Sequence, residues 1–310
     1  SSVVNIVHCI DTEGPLSESL EATFERVEDI FGLKFEPNLV TLNQLQGKEI
    51  DLGGLEDTVA RVLSPELLAY HDSWDKLDGM LDEIMSEKYR NIYPDSFGQG
   101  WVYNWHCLDF VGFKTNPRNR DAGFHRIFDH YQDIRLRTNS SRDGIHFHHH
   151  PVPFSGEGHH SATSYFSPYP VVYEILARRI IDRNWFPCVN RPGFHSTRPD
   201  SHWLMEQFIP FDIANQSTNE DFSSQKDLSP GRYGDWRRAP MTWTPYHPHH
   251  DDYQTIGTSR RWIARCLNIG SRVRLLTEDD VTLAFEEARD GKPVVLSFTH
   301  HDFRDMRPAL

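Results

Sequence analysis

The stretch VVNIVHCIDTEG, residues 3–14, joins a continuous apolar run to a cluster of acidic side chains. The run from Val3 to Ile10 predicts a strand that is buried on both faces, which is typical of a parallel sheet covered by helices. Asp11 and Glu13 follow where this strand is predicted to end. Since active sites of parallel barrels lie at the carboxyl ends of the strands, the stretch predicts both a fold class and the place of a site.

Strands and helices alternate along the rest of the chain. Helices are predicted at residues 20–31, 54–63, 74–86, 124–134, 171–183, 259–267 and 277–291, and further strands at residues 186–189, 211–214 and 293–299. This order predicts a parallel α/β architecture in a single domain, residues 1–310. The Asn-, Gly- and Pro-rich residues 89–120 predict a long structured loop, part of an insertion at about residues 33–140.

The composition argues against several classes of protein. The 310 residues, 38% of them hydrophobic, can build a sizeable core. A formal net charge of −13 is unfavourable for non-specific nucleic-acid binding, which requires a basic surface. No apolar run is long enough to predict a membrane span. The four cysteines form no CxxC pair, which favours buried free thiols.

The ends of the chain leave its context open. No basic segment followed by an apolar one is present at the start, so no signal peptide is recognised and a cytoplasmic location is expected. The sequence begins Ser1-Ser2 without Met, so removal of a leader is left open. It ends nine residues after His301, where a barrel normally adds a helix, so the chain can also be one domain of a longer protein. The oligomeric state is not predicted.

A second stretch, GIHFHHHP at residues 144–151, places four histidines in five positions. His146 and His150 are four residues apart and can converge with a carboxylate from Asp11 or Glu13. One carboxylate with two imidazoles is a common ligand set for zinc and similar ions, and it leaves positions open for water and substrate. The second carboxylate can then act as a general base. Taken alone, the acidic pair could equally cap a helix.

Four motifs in order resemble those of the polysaccharide deacetylases with NodB homology, carbohydrate esterase family 4. They are the acidic pair in IDTEG, the His-x-x-x-His spacing in HFHHH, the arginine in VNRPGF (residues 189–194) and the histidine in LSFTHHD (residues 296–302). The resemblance implies a distorted (β/α)7 barrel of the NodB type with a large loop and helix insertion. It also implies a metal-dependent hydrolase.

The resemblance implies which residues bind the metal and the substrate. Glu13, His146 and His150 would bind a divalent ion, zinc by default, although iron, cobalt or nickel suit the same ligands. His148 would contact the substrate, an amino sugar. Three aromatic residues, Trp105, Trp236 and Tyr246, are further candidates for substrate binding by stacking on sugar rings. Core packing is left open as the alternative for Trp105 and Tyr246. Trp236 is also a candidate for the tryptophan that packs against the base in that family.

The resemblance also implies the residues that carry the reaction. Asp11 would be the catalytic base, and Arg191 would orient it. His301 would be the general acid, because Asp302 follows it, and His300 is the alternative because it keeps the better strand phase. The chain departs from the family in using Glu13 where an aspartate is usual and in lacking the usual Pro-Trp/Tyr-Gly run after Arg191.

The implied function is removal of an N-acetyl or N-formyl group from an amino sugar or sugar precursor. Enzymes of this kind often serve the synthesis of bacterial surface polysaccharide or lipopolysaccharide O-antigen. Two alternatives are left open: a catalytically silent carbohydrate-binding or scaffold domain with the same fold, and an amidase that acts on a non-sugar C–N bond.

Overall fold

The computed structural model describes residues 2–109, 118–120, 124–150, 169–220, 234–271 and 273–309. Its strands are β1 (Val4–Thr12), β2 (Leu16–Glu18), β3 (Tyr103–Leu108), β4 (Arg118–Arg120), β5 (Gly144–His149), β6 (Val189–Pro192), β7 (Phe211–Asn215), β8 (Pro248–His249), β9 (Asp252–Ile256), β10 (Trp262–Asn268) and β11 (Val294–His301). Seven of them close a parallel barrel in the order β1-β11-β10-β7-β6-β5-β3. The pairs β2–β4 and β8–β9 form small antiparallel sheets.

Helices surround the barrel, which confirms the predicted seven-stranded α/β barrel. They are α1 (Leu20–Phe31), α2 (Leu39–Gln46), α3 (Glu56–Val62), α4 (Pro65–Leu68), α5 (Trp74–Ile84), α6 (Glu87–Arg90), α7 (Arg126–Arg137), α8 (Tyr169–Arg183), α9 (Pro199–Phe208) and α10 (Glu278–Arg289). Local sequence sets their ends: Ser19 caps the start of α1, and Gly32, with φ of 70°, ends it in the left-handed region.

Side chains alternate between the two faces of β1. Ile10 packs outward in a core cluster with residues of α5 and α7, whereas Cys9 packs with Ile213 and Cys266 from strands across the barrel. Since side chains two residues apart lie on the same face of a strand, Asp11 lies on the same face of β1 as Cys9. The acidic end of β1 therefore opens toward the barrel interior.

Three of the predicted elements differ from the structure. The strand predicted at residues 186–189 begins only at Val189 and continues to Pro192. Residues 262–268 are strand β10, not part of the helix predicted at residues 259–267. Arg261 and Arg265 are both buried there and paired with Asp212 and Asp280. Residues 103–108, inside the predicted loop 89–120, are barrel strand β3, and residues 110–117 of that loop lie outside the described residues. The segment proposed as an insertion, residues 33–140, thus includes one strand of the barrel.

Candidate metal centre

The register of three neighbouring strands decides which histidines meet the acidic pair. Across β1, β3 and β5, Asp11 is level with His106 and His146. Two residues further toward the carboxyl ends of their strands come Glu13 and His148. His148 pairs with Leu108, the last residue of β3. Glu13 is therefore level with His148 rather than with His146.

Glu13, His148 and His150 form a buried group whose ligand atoms all lie within 4.8 Å of one another. Oε1 of Glu13 is 3.0 Å from Nε2 of His150 and 3.4 Å from Nε2 of His148. Ligand atoms that share a tetrahedral ion at about 2 Å are separated by roughly 3 to 3.5 Å. The group can therefore bind a divalent metal ion, as the carboxylate-and-imidazole hypothesis predicts.

The hydrogen bond on the far side of His148 orients its ring for ligation. Nδ1 of His148 lies 2.6 Å from the carbonyl oxygen of Arg191, so this nitrogen carries the proton and donates it. Nε2, which faces Glu13, then has its lone pair available for a metal ion. A second hydrogen bond that fixes the tautomer in this way is the usual partner of a metal-binding histidine.

The prediction that His146 is the first histidine ligand is corrected by the structure, which places His148 there. His146 lies deeper in the barrel, with Nε2 3.0 Å from Oδ1 of Asn104 and its ring 4.9 Å from that of His106. Burial lowers the pKa of His146 to about 4, so it is neutral. The ligand spacing is His-x-His, because side chains two apart on a strand share a face. His148, predicted to contact substrate, belongs to the ligand group instead.

Asp11 forms a two-point ion pair with Arg191. Nε and Nη2 of Arg191 lie 2.6 Å from Oδ1 and Oδ2 of Asp11, and both side chains are almost completely buried. Burial acts to raise the pKa of Asp11, but the charge and hydrogen bonds of Arg191 hold this pKa well below its ordinary value. Asp11 is therefore an oriented, ionised carboxylate, separated along the chain from Glu13 by a single residue.

The structure brings His301, and not His300, to this carboxylate. His301 is paired in register with Asp11, and its Nε2 is 3.6 Å from Oδ2 of Asp11. Its ring packs on Phe303 at 4.8 Å. His300 is paired with Ile10, which faces outward, and a Cβ at Gly270 would collide with its ring.

The aromatic residues proposed to bind substrate are part of the core, so that prediction is corrected. Trp105 and Trp236 are 0% and 1% exposed, and Tyr246 is 5% exposed. Each polar atom has an internal partner: Trp105 donates to Asp143, and the hydroxyl of Tyr246 donates to a main-chain carbonyl. Trp236 donates to the carbonyl of His195, whose ring lies beside Arg191. The indole was expected to pack against the base Asp11, and its hydrogen bond is instead to this neighbour of Arg191.

Sequence reasoning missed His195. Its ring nitrogens lie 3.2 and 3.0 Å from Nη1 and Nη2 of Arg191, so the imidazole packs along the guanidinium. Burial, followed by the charge of Arg191, holds the pKa of His195 well below its ordinary value, so the ring is neutral. The one available signal was its position four residues after Arg191 in the same motif, VNRPGFH.

No family model, curated protein or solved structure matches this chain significantly. In the part of the chain that the structure describes, no helix has the length and apolar character needed to cross a membrane. The fold and the metal-compatible group are therefore the findings on which a functional argument can rest.

Proposed function

We propose that the protein is a metal-dependent hydrolase that removes an acetyl or formyl group from the nitrogen of an amino sugar or sugar precursor. The observation that carries the proposal is the Asp11–Arg191 pair beside a carboxylate-and-two-imidazole group at the carboxyl end of a parallel barrel. The acidic pair, the arginine motif and the final histidine motif follow one another in an order that resembles the NodB-type deacetylases, which supports the same reaction. The His-x-x-x-His motif contributes His150 but not His146.

Glu13, His148 and His150 would hold the ion. A divalent ion in such a site polarises an acyl carbonyl and makes water a better nucleophile near neutral pH. Zinc suits one carboxylate and two imidazoles, and iron, cobalt or nickel suit the same set. The chain's own contribution is to orient the ligands, through the carbonyl of Arg191 on His148, and to place a base beside them.

Asp11 would accept the proton of the attacking water. Arg191 occupies one acceptor position on each oxygen of Asp11, and a carboxylate offers about four such positions, so others stay available. Because the pKa of Asp11 is held low, the group is ionised throughout the neutral range and is ready to accept. Its position, fixed by two hydrogen bonds, contributes more than its basicity.

His301 would return that proton to the leaving nitrogen. Burial holds the pKa of His301 well below its ordinary value, so the ring is neutral before reaction and must first collect a proton. Asp11, 3.6 Å away, is the nearest source. Water then adds its oxygen to the acyl carbon, the C–N bond breaks, and the proton passes from Asp11 through His301 to the amine.

The sugar part of the substrate rests on the resemblance alone. The three aromatic residues expected to stack on sugar rings are in the core, which favours, as a second candidate, an amidase that acts on a non-sugar C–N bond. The two share the same site chemistry. A role in surface polysaccharide or O-antigen synthesis belongs to the first candidate only.

Metal content tests the site. Purified protein without a histidine tag, dialysed against Zn²⁺ and then buffer, is expected to retain about one equivalent by mass spectrometry of the metal. His148→Ala should lose it, whereas His146→Ala, a matched change two residues away, should keep it. Loss of metal in His146→Ala with retention in His148→Ala would restore the ligand set expected from sequence. No metal in the parent protein would end the hydrolase proposal.

Amine release tests the substrate. The zinc, iron, cobalt and nickel forms are incubated with N-acetyl and N-formyl amino sugars, their nucleotide-linked forms and N-acyl amino acids. Release from the sugars supports the first candidate, and release from amino acids alone supports the second. A protein that binds metal but turns over none of these with any ion would be a silent binding or scaffold domain.

A further inference from the structure

Asp302 is completely buried where β11 ends, and it accepts hydrogen bonds from the main chain of the acidic segment. Its Oδ1 lies 2.8 Å from the amide nitrogen of Glu13, and its Oδ2 lies 2.9 Å from that of Gly14. Both amides follow β1, whose pairing with neighbouring strands ends at Asp11 and Thr12. A buried amide beyond the last ladder bond needs another acceptor, and Asp302 provides it for two in succession.

Helix α7 holds the same carboxylate from another direction. The hydroxyl of Tyr131 donates to Oδ2 of Asp302 at 2.8 Å. Tyr131 is fully buried, and burial followed by the charge of Asp302 raises its pKa well above the ordinary value. The phenol therefore stays protonated and remains a donor. Among the described residues, two main-chain amides after β1 and one phenol from α7 donate to the carboxylate of Asp302 and fix it from separate parts of the chain.

The turn after Glu13 has little freedom on its other side. Gly14 has φ of +72°, in the left-handed region, and a Cβ there would come 3.1 Å from the indole of Trp74. The main chain at Gly14 is thus held by Asp302 and lies close to Trp74. A shift of this segment would move the carboxylate of Glu13 relative to His148 and His150.

We propose that Asp302 is a positioning residue for metal binding, which acts by fixing the main chain of Glu13 so that its carboxylate faces His148 and His150. The inference rests on the metal site of the proposed function but not on the identity of the substrate. It gives the end of β11 two separate tasks: His301 faces Asp11, and Asp302 holds the segment that carries the carboxylate ligand.

The zinc affinity of Asp302→Asn tests this role. Asparagine keeps the shape of the side chain but turns one of its two acceptors into a donor, which would face an amide N–H. The dissociation constant for Zn²⁺, measured by competition with a chromophoric chelator, should rise roughly 10–100-fold. In Co²⁺-loaded protein, the visible absorption bands should change in the same variant.

Asp143→Asn is the matched control. Asp143 is also a buried carboxylate that accepts a main-chain N–H, from Tyr103, and the indole N–H of Trp105, but it lies away from the metal group. This variant should unfold more easily while its folded form keeps the parent affinity for Zn²⁺. Equal weakening in both variants, or parent affinity in Asp302→Asn, would overturn the inference.

Tyr131→Phe keeps the test decisive if Asp302→Asn does not fold. It removes one donor from Asp302 and should weaken zinc binding less than Asp302→Asn does, because the hydrogen bonds from the amides of Glu13 and Gly14 remain. An unchanged affinity in that variant would then count against the role. Failure of the parent to bind Zn²⁺ would instead overturn the metal site and the inference with it. A parent that binds Zn²⁺ but hydrolyses nothing would leave the positioning role intact.

Discussion

Two buried aspartate–arginine pairs lie at the ends of neighbouring barrel strands, and they behave differently. Asp11, on β1, is bound by Arg191 at 2.6 Å, and Asp109, directly after β3, is bound by Arg179 at 2.7 Å. In both pairs the arginine contacts both carboxylate oxygens, and all four side chains are almost inaccessible to solvent. By contact geometry alone, the two pairs would be assigned the same role.

The two pairs differ in the direction in which the pKa of the aspartate is shifted. Burial outweighs the attraction of Arg179 and raises the pKa of Asp109, and it lowers the pKa of Arg179. At Asp11, the charge and hydrogen bonds of Arg191 outweigh burial, and the pKa is lowered. The difference indicates that pairing with a buried arginine does not by itself decide the direction in which a carboxyl pKa is shifted. Asp109 ties the end of β3 to α8, whereas Asp11 is kept charged beside a ligand group.

Replacement of Asp11 or Asp109 by asparagine should give the largest difference in kcat/KM between the two pairs. Asp11→Asn should lower kcat/KM by roughly 10²- to 10⁴-fold, the contribution of a general base, while zinc content stays at the parent level. Asp109→Asn should leave kcat/KM of the folded protein unchanged, although it unfolds at lower denaturant because Arg179 keeps a buried charge without its carboxylate partner. Steady-state kinetics on a hydrolysed substrate, beside urea unfolding of both variants, measures this. Full activity in Asp11→Asn would remove Asp11 from the mechanism.

Replacement of the two histidines at the end of β11, His300 and His301, should give a smaller difference in kcat. His301→Gln should lower kcat about 10²-fold, because the leaving nitrogen loses its proton donor. His300→Gln should stay within about twofold of the parent, because His300 faces away from Asp11 and the pKa of this histidine, lowered by burial to about 4, leaves it neutral. Both variants are compared at equal zinc content. The larger loss in His300→Gln would assign the acid to that residue instead.

The missed strand explains why the sequence predicted the barrel but not the right ligand. The apolar run of β1, the acidic pair and the histidines of β5 were all recognisable, because each carries its pattern locally. Which histidine of β5 lies level with Glu13, however, depends on how β5 pairs with β3 and how β3 pairs with β1. Residues 103–108 did not look like a strand, so His146 and His148 were indistinguishable by phase. Similarly, the burial of Arg261 beside β10 depends on Asp212, a buried partner 49 residues earlier in the chain, which the local pattern does not reveal.

The smallest expected effect is on the pH dependence of the free energy of unfolding. It compares the two pairs most directly, because its sign should be opposite at Asp11 and at Asp109. The pKa of Asp11 is lower in the folded than in the unfolded chain, so its stabilisation is present above about pH 4 and is lost as the pH falls through the folded pKa.

The pKa of Asp109 is higher in the folded chain, so lowering the pH from that pKa toward about 4 makes the folded state more stable. Each carboxyl changes the free energy of unfolding by at most about 1.4 kcal/mol per pH unit. Unfolding of metal-free parent, Asp11→Asn and Asp109→Asn between pH 3 and 6, followed by urea, should give parent-minus-variant slopes of opposite sign. Slopes of the same sign would mean that the pKa values of the two aspartates are shifted in the same direction, and the contrast between the two pairs would be lost.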